Sequence, residues 1–106
     1  MNQKDYLKLS PIVDQHSEWV GNSLMRATVR NHKATYVIQV MELTEGRTSK
    51  RRALDFAKAV AANQKGVRNF QEVPRTAIEF DRKCERLDGT HVLTRIRNVS
   101  YMFNAE

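Results

Sequence analysis

The chain has 106 residues, 41% apolar and 28% charged, with a net charge of +6. This length and composition allow one modest hydrophobic core, and they exclude two full domains and a chain disordered throughout. A single cysteine excludes an internal disulfide framework, and no apolar run reaches the roughly 18 residues of a membrane span. We therefore predict one domain over residues 1–106, without membrane contact, in the cytoplasm or, as the alternative, in the nucleoid.

The first predicted element is a short N-terminal helix. Ser10 and Pro11 are typical of a helix start, with Ser10 as N-cap and Pro11 at the first helical position. Apolar residues then recur at roughly helical spacing, and the Gly21-Asn22 pair is typical of a helix end. On this interpretation Trp19 and Val20 anchor the helix on the core.

Two strands follow. Residues 23–30 alternate in polarity, residues 31–34 form a polar break, and residues 35–43 are rich in β-branched and aromatic side chains. The short break predicts an antiparallel hairpin over about 23–43. The second strand is apolar on both sides, which is typical of a central strand.

The clearest helix is predicted over about 49–64, after a turn at Glu45-Gly46. Thr48 or Ser49 would cap it, and Lys65-Gly66 would end it. A broad apolar stripe at helical spacing would face the core, and it consists of Ala53, Leu54, Phe56, Ala57, Val60 and Ala61.

Residues 76–89 allow two interpretations. Thr76 and Glu79 fit a capping box, and residues 77–87 would then form a helix with Cys84 on its apolar side and Gly89 as its stop. We favour this helix, which makes Cys84 a small, buried core residue without a catalytic role.

The alternative is a β-hairpin with Asp88-Gly89 as a two-residue turn and residues 91–103 as the return strand. That turn would place Arg82 opposite Arg95, an unfavourable like-charge pair. Residues 91–103 are predicted as a strand in both interpretations. Their last apolar cluster, Tyr101-Met102-Phe103, is expected to close the core, with a contact to a partner as the alternative.

Together these elements predict an α+β fold. An antiparallel sheet, made of the hairpin about 23–43 and a C-terminal strand about 91–103, would pack against the main helix about 49–64. The short N-terminal helix would complete the domain.

The positive charge is confined to one segment. Residues 1–46 and 76–106 each have five cations and five anions, whereas residues 47–75 have two anions and eight cations. The eight are Arg47, Lys50, Arg51, Arg52, Lys58, Lys65, Arg68 and Arg75. Such asymmetry is typical of a surface that binds an anion, and the alternative is a solvated surface that aids solubility.

Three of these cations, Lys50, Arg51 and Arg52, open the best helix. A helix N-terminus has partial positive charge, so each cation there is unfavourable by about 0.3–1 kcal/mol. A nucleic-acid phosphate would meet free backbone N–H groups, the dipole and the side-chain charges together. The alternative is that the side chains extend into water and the penalty is tolerated.

The segment from Glu45 to Ala62, EGRTSKRRALDFAKAVAA, resembles the strand-to-helix junction of double-stranded-RNA-binding domains. In that family a glycine, a serine and a lysine pair precede an alanine-rich helix whose N-terminus contacts phosphates. The resemblance extends at most over residues 10–64. About 40 residues follow the helix that the family lacks, and no third strand precedes it.

A second similarity is to sheet-plus-helix proteins that insert a β-sheet into the major groove of DNA. Residues 24–43 would supply that surface, and the predicted strand directs Arg26, Thr28 and Arg30 to one side. His32 and Lys33 are further candidate contacts, and the alternative is a solvated strand face.

Catalysis is not predicted. Cys84 and His91 are seven residues apart with no orienting carboxylate implied by spacing, and the histidines His16, His32 and His91 lack metal-ligand spacing. No glycine-rich phosphate loop is present. We therefore expect no enzyme activity, no cofactor and no metal.

The sequence favours a small, basic, non-enzymatic protein that binds DNA or RNA through phosphates. The alternative is a small protein-binding inhibitor or regulator, for example a phage- or plasmid-borne antagonist of a host complex, that meets an acidic protein surface. A homodimer is a further candidate assembly. The predicted nucleic-acid contacts are Arg47, Lys50, Arg51, Arg52, Lys58, Arg68, Arg26 and Arg30.

Overall fold

The computed structural model describes residues 10–106. Its elements are β1 (Ile12–Val20), β2 (Ser23–His32), β3 (Thr35–Thr44), α1 (Lys50–Ala61), β4 (Arg68–Glu72), β5 (Ile78–Glu85) and β6 (His91–Asn104). The strands form one six-stranded antiparallel sheet in the order β1-β2-β3-β6-β4, and β5 pairs with the free half of the same edge of β6.

The predicted fold class was wrong. Strands make up 58% of the described residues and the single helix 12%, so the protein is a mostly-β sheet domain instead of an α+β domain built around a main helix. The difference comes from two segments, residues 12–20 and 78–85, that pair as strands although their local sequence also fits helices. Long-range pairing overrides a weak local preference in both.

The predicted N-terminal helix is strand β1. Gly21 has a φ of +59°, which suits the tight two-residue turn that joins β1 to β2. The same Gly21-Asn22 pair had been interpreted as a helix end. Trp19 does not anchor to the core: its side chain is 69% exposed.

The prediction of a helix over residues 77–87 was also wrong. The alternative hairpin is present, but its turn differs from the predicted two-residue turn. The hydrogen bond that closes the hairpin runs from Arg86 N to Thr90 O, at 2.7 Å. The loop therefore has three residues, and Gly89 takes its left-handed position at a φ of +87°.

One extra loop residue shifts the register by one. Asp81 then lies opposite Arg95, with its Oδ1 3.9 Å from Arg95 Nε, and Arg82 lies opposite Thr94. The like-charge pair that argued against the hairpin does not form.

The predicted hairpin, main helix and C-terminal strand are present as β2–β3, α1 and β6. Ser49 caps α1, because its Oγ accepts a hydrogen bond from Arg52 N at 3.1 Å. The helix buries its predicted stripe, apart from half-buried Leu54, against Met25, Ala27, Val29, Ile38 and Val40 of the sheet.

Aromatic side chains close the core at the β6 end of the sheet, as predicted for Tyr101 and Phe103. Both are buried, at 2% and 1% exposure. Phe70 of β4 stacks on the two rings, and Tyr36 stacks on Phe103 at a centroid distance of 5.1 Å. Met102 points to the opposite side and is half-buried.

Candidate nucleic-acid interface

The sheet has two unlike faces. We call the face under α1 the helix side; it bears the buried core of β2, β3 and β6. We call the opposite one the open face, because the single helix described packs on the other side. In paired strands, directly opposed residues share a face, so the register assigns Arg26 with Met41, and Thr28 with Gln39, to the open face.

All seven carboxylates in the strands lie on the helix side. They are Asp14, Glu18, Glu42, Glu72, Glu79, Asp81 and Glu85, each of which shares a face with core residues by its pairing. Among the described strand residues, the open face therefore has no Asp or Glu. Its polar side chains are neutral or cationic, for example Gln15, Ser17, Thr28, Gln39, Asn98 and Ser100.

Arginines provide the charge of the open face. Arg26 on β2 and Arg82 on β5 are exposed. Arg30 is half-buried and its Nη1 donates a hydrogen bond of 2.8 Å to the Ser10 carbonyl oxygen. Arg68, at the start of β4, is exposed and opposite Asn104. Without nearby strand carboxylates, these cations give the open face a positive potential.

Two adjacent hollows lie across this side of the sheet. One, of about 320 Å³, is bordered by Gln15, Arg26, Thr28, Gln39 and Met41, among others. The other, of about 620 Å³, lies where Trp19, Leu24 and Leu43 meet Cys84 and Thr94 of the β5–β6 hairpin. The first hollow combines Arg26 and neutral polar side chains with Met41, and the second is largely apolar but includes the carboxylate of Glu45.

The start of α1 already holds an anion of the protein itself. Glu42 is fully buried, and its Oε1 accepts a hydrogen bond from Ser49 N at 2.8 Å. Its Oε2 accepts one from Arg52 Nε at 2.7 Å. Arg52 also donates to the Arg47 carbonyl oxygen. A buried carboxylate at the helix N-terminus therefore compensates Arg52 without an external phosphate, and among the described residues it forms no ion pair with Arg47, Lys50 or Arg51.

The remaining cations predicted as contacts divide between the two sides of the sheet. Arg47 and Lys50 are exposed at the start of α1, Arg51 lies 3.4 Å from Asp55, and Lys58 is exposed in the last turn. Arg26, Arg30 and Arg68 belong to the open face by their strand pairing. The sheet lies between these two groups.

Sequence reasoning missed the open-face residues that come from β1 and β5, because both strands had been interpreted as helices. Trp19 and Phe80 are 69% and 45% exposed, and both lie on this face with Arg82. The sequence signal that could have identified β5 as a strand is its alternation, in which acidic Glu79 and Asp81 flank apolar Phe80.

Among residues 10–106, three titratable groups have clearly displaced pKa values. The hydrogen bond with His16, whose Nε2 is 2.7 Å from Asp14 Oδ2, lowers the pKa of Asp14. Hydrogen bonds from the Thr90 hydroxyl and N–H lower the pKa of Asp88. Burial raises the pKa of Tyr101, and the Arg97 guanidinium opposes that rise.

Cys84 is half-buried beside the apolar hollow, instead of lying in the core as predicted. Within residues 10–106, no group of three or more His, Cys, Asp and Glu side chains is arranged to hold a metal ion. The same residues include no helix that is long and apolar enough to cross a membrane. No protein-family model, curated protein or solved structure matches the chain.

Proposed function

We propose that the protein binds single-stranded nucleic acid across the open face of its sheet. The observation that supports this proposal is the division of charge: every strand carboxylate lies on the helix side, and the opposite face has arginines, amides, hydroxyls and exposed aromatic rings. A surface of this composition attracts phosphates, and Glu45, which borders its apolar hollow, is paired with Arg86 at 2.7 Å.

The width of the face favours a single strand over a duplex. The sheet is five strands wide, since β4 and β5 share one edge of β6. At a strand spacing of about 4.8 Å the face spans roughly 19 Å, whereas the major groove is about 12 Å wide. A sheet face of this width lies over a flexible strand more readily than it enters a groove.

The parts of the face have complementary chemistry. Arg26 and Arg82 would neutralise phosphates, and Trp19 and Phe80 offer rings on which bases stack, each worth about 1–3 kcal/mol. Gln39, in the polar hollow, has both a donor and an acceptor for a base edge. Binding of this kind is non-enzymatic, and we propose that it takes place in the cytoplasm.

Fluorescence anisotropy with a labelled single-stranded oligonucleotide of mixed sequence tests the proposal. The Arg26→Ala/Arg82→Ala variant is expected to bind more weakly, and the slope of log K against log salt should shrink by about 1.4, or 0.7 per lost phosphate contact. The matched control, Arg51→Ala/Lys58→Ala, removes two exposed cations from α1 and should bind nearly as the wild type does.

A larger loss in the helix variant would assign the contact surface to α1 and contradict the open-face proposal. The same titration with the duplex of that oligonucleotide is expected to show weaker binding than the single strand. Stronger binding of the duplex would contradict the argument from width.

A protein-binding regulator is the second candidate, and the apolar hollow favours it. Trp19 is 69% exposed there, next to half-buried Leu24, Leu43 and Cys84. Exposed apolar patches of this kind are typical of partner contacts. If the wild-type protein binds neither single-stranded nor duplex oligonucleotides at physiological salt, this candidate replaces the first.

A further inference from the structure

The apolar hollow of the open face has a continuous floor. Trp19, Leu24 and Leu43 are directly opposed across β1, β2 and β3, so their side chains form one row on this face. Together with Cys84 and Thr94 they border a volume of about 620 Å³, which lies within the roughly 300–1,000 Å³ of small-molecule sites. The Trp19 ring is 69% exposed. The hollow can therefore receive a flat aromatic group that stacks on this ring.

The Thr94 hydroxyl at this hollow has no hydrogen-bond partner in the part of the chain that the structure describes. The residue is only 9% exposed. Buried hydroxyl groups are normally hydrogen-bonded, because an unpaired one has lost its bonds to water. An unpaired hydroxyl beside an open volume indicates a ligand with a complementary polar group.

A carboxylate at the same end of the hollow has one free oxygen. Glu45 follows Thr44 and Thr94 precedes Arg95, and Thr44 and Arg95 are the last pair of the β3–β6 ladder. Glu45 Oε2 accepts a hydrogen bond of 2.7 Å from Arg86 Nη2, whereas Oε1 accepts none from residues 10–106. Because Arg86 balances the charge, this carboxylate can accept hydrogen bonds from a base without strongly repelling the phosphates attached to it.

The hydrogen-bonding groups of guanine fit these two side chains. The Watson–Crick edge of guanine has two adjacent donors, N1–H and the N2 amino group, next to the O6 acceptor. A carboxylate accepts two parallel hydrogen bonds, and each oxygen has two lone pairs, so Glu45 Oε2 can accept from guanine as well as from Arg86. The Thr94 hydroxyl can donate to O6.

The other bases fit the carboxylate less well. Adenine and cytosine have an acceptor nitrogen beside their amino group, and in thymine and uracil two carbonyl groups flank the single N–H. Each of these bases would turn at least one lone pair towards Glu45. The hollow therefore discriminates by the donors of a base, while its apolar floor accepts the flat face of any base.

We propose that the apolar hollow binds a guanine base, which stacks on Trp19 and directs its Watson–Crick edge to Glu45 and Thr94. This inference rests on the proposed binding of a single strand across the open face, and it names the base that the strand places in the hollow. The neighbouring phosphates then lie towards Arg82, which pairs with Thr94 on the adjacent strand.

Tryptophan fluorescence of the full chain tests the proposal. Trp19 is the one tryptophan of the sequence, so its emission reports stacking in the hollow directly. The titrants are a thymidine pentanucleotide and three others with guanine, adenine or cytosine at the centre. The guanine version is expected to quench most and to bind about tenfold more tightly than the thymidine one. Equal affinities, or a preference for another base, would overturn the inference.

Substitutions of the two polar groups assign the preference to them. Glu45→Gln replaces the carboxylate by an amide of the same shape and should reduce the preference for guanine to about twofold. Thr94→Val removes only the hydroxyl and should reduce it by about threefold. Glu18→Gln is the matched control, because it makes the same charge change beside Trp19 but on the helix side, and it should keep the full preference. A Glu45→Gln variant that also keeps it would contradict the assignment.

Free guanosine monophosphate separates a failure of this inference from a failure of the proposed function. If the pentanucleotides bind without preference, the inference is wrong and single-strand binding stands. If none of them binds, but the millimolar nucleotide quenches Trp19 in the wild type and not in Glu45→Gln, the guanine site stands and single-strand binding is wrong. No quenching by any of these probes would overturn both.

Discussion

The same strands form both faces of the sheet, but the two faces differ in burial and in charge. The helix side buries its aromatic and aliphatic residues, and it holds every strand carboxylate, including fully buried Glu42. The open face has arginines and neutral polar groups around half-buried apolar residues such as Leu24, Met41 and Leu43. Hydrophobicity alone distinguishes the two faces only partly, whereas the carboxylates that lie within the described strands are all on one face.

This difference indicates where a substitution should change stability and where it should change binding. A group on the helix side has partners within the protein, so its removal leaves those partners unsatisfied. An exposed group on the open face, such as Arg26, Gln39 or Trp19, mostly contacts water, so its removal should leave the fold intact. By contrast, Val37 and Ile96 on the same face are buried. The four predictions below test that division.

The largest expected effect is on Glu42. Its carboxylate is fully buried and accepts hydrogen bonds from Arg52 and from Ser49 N. Glu42→Ala leaves a partly buried guanidinium and a helix-cap N–H without their partner, and should lower the free energy of unfolding by about 3–5 kcal/mol in urea denaturation.

Glu79→Ala is the matched control, because Glu79 lies on the same side of the sheet but is exposed. It loses one hydrogen bond from the Thr48 hydroxyl, which should cost about 1 kcal/mol. Equal costs for the two variants would show that the buried carboxylate does not stabilise the start of α1.

A carboxylate placed on the open face should act on binding instead. Gln39 is exposed in the polar hollow, and Gln39→Glu should weaken single-stranded oligonucleotide binding by about fivefold, since like charges about 4 Å apart repel by about 1 kcal/mol in water. Gln64→Glu, just after α1, makes the same change on the helix side and should leave binding unchanged. An equal loss in both variants would point to net charge, rather than to the face, as the cause.

Alkaline pH should lower the folding stability of the protein through Tyr101, which lies on the helix side. Because burial raises the folded-state pKa of Tyr101 above 10.0, the unfolded chain loses this proton first as the pH rises. The stability contribution is present below pH 10 and is lost as the pH rises from 10 towards the folded-state pKa.

Tyr101→Phe removes this contribution, so its unfolding free energy should fall less between pH 9 and 11 than that of the wild type, as measured by urea denaturation at each pH. Tyr36→Phe is the control: it removes the hydroxyl of a half-buried ring instead of a buried one, and its alkaline profile should stay close to that of the wild type. Identical profiles for Tyr101→Phe and the wild type would refute the assignment.

The smallest expected effect is on Trp19. Its ring is 69% exposed, so Trp19→Ala should change the free energy of unfolding by no more than about 0.5 kcal/mol. Phe103→Ala, in the core of the helix side, should cost about 3–5 kcal/mol. Thermal melts of the two variants compare them directly, and a large loss for Trp19→Ala would mean that the open face is part of the core.

Several elements were predictable because their sequence patterns agree with their final environment. The hairpin of β2 and β3, the helix α1 and the strand β6 lie where alternation, β-branching and capping indicated. Tyr101 and Phe103 close the core as expected. In these segments local preference and tertiary packing favour the same structure.

The candidate site was predictable only in part. Arg26 and Arg30 were assigned to one strand face, and the register places them on the open face. It was not predictable that Trp19, Phe80 and Arg82 lie on the same face, because this placement depends on pairing between strands that are distant in the chain. Whether Arg47, Lys50 and Arg51 contact a phosphate stays a prediction.

The sequence by itself determined the basic middle segment and the capped, amphipathic helix, because composition and short-range spacing suffice for these features. Only the tertiary structure decided that residues 12–20 and 78–85 form strands. In the second segment, one additional loop residue between Arg86 and Thr90 sets the register of β5 and thereby places Asp81 opposite Arg95. The tertiary structure also decided that Glu42 lies beneath the start of α1, where a contact across ten residues of chain compensates Arg52. Strand pairing and burial are long-range interactions, and they decide such positions when local signals are balanced.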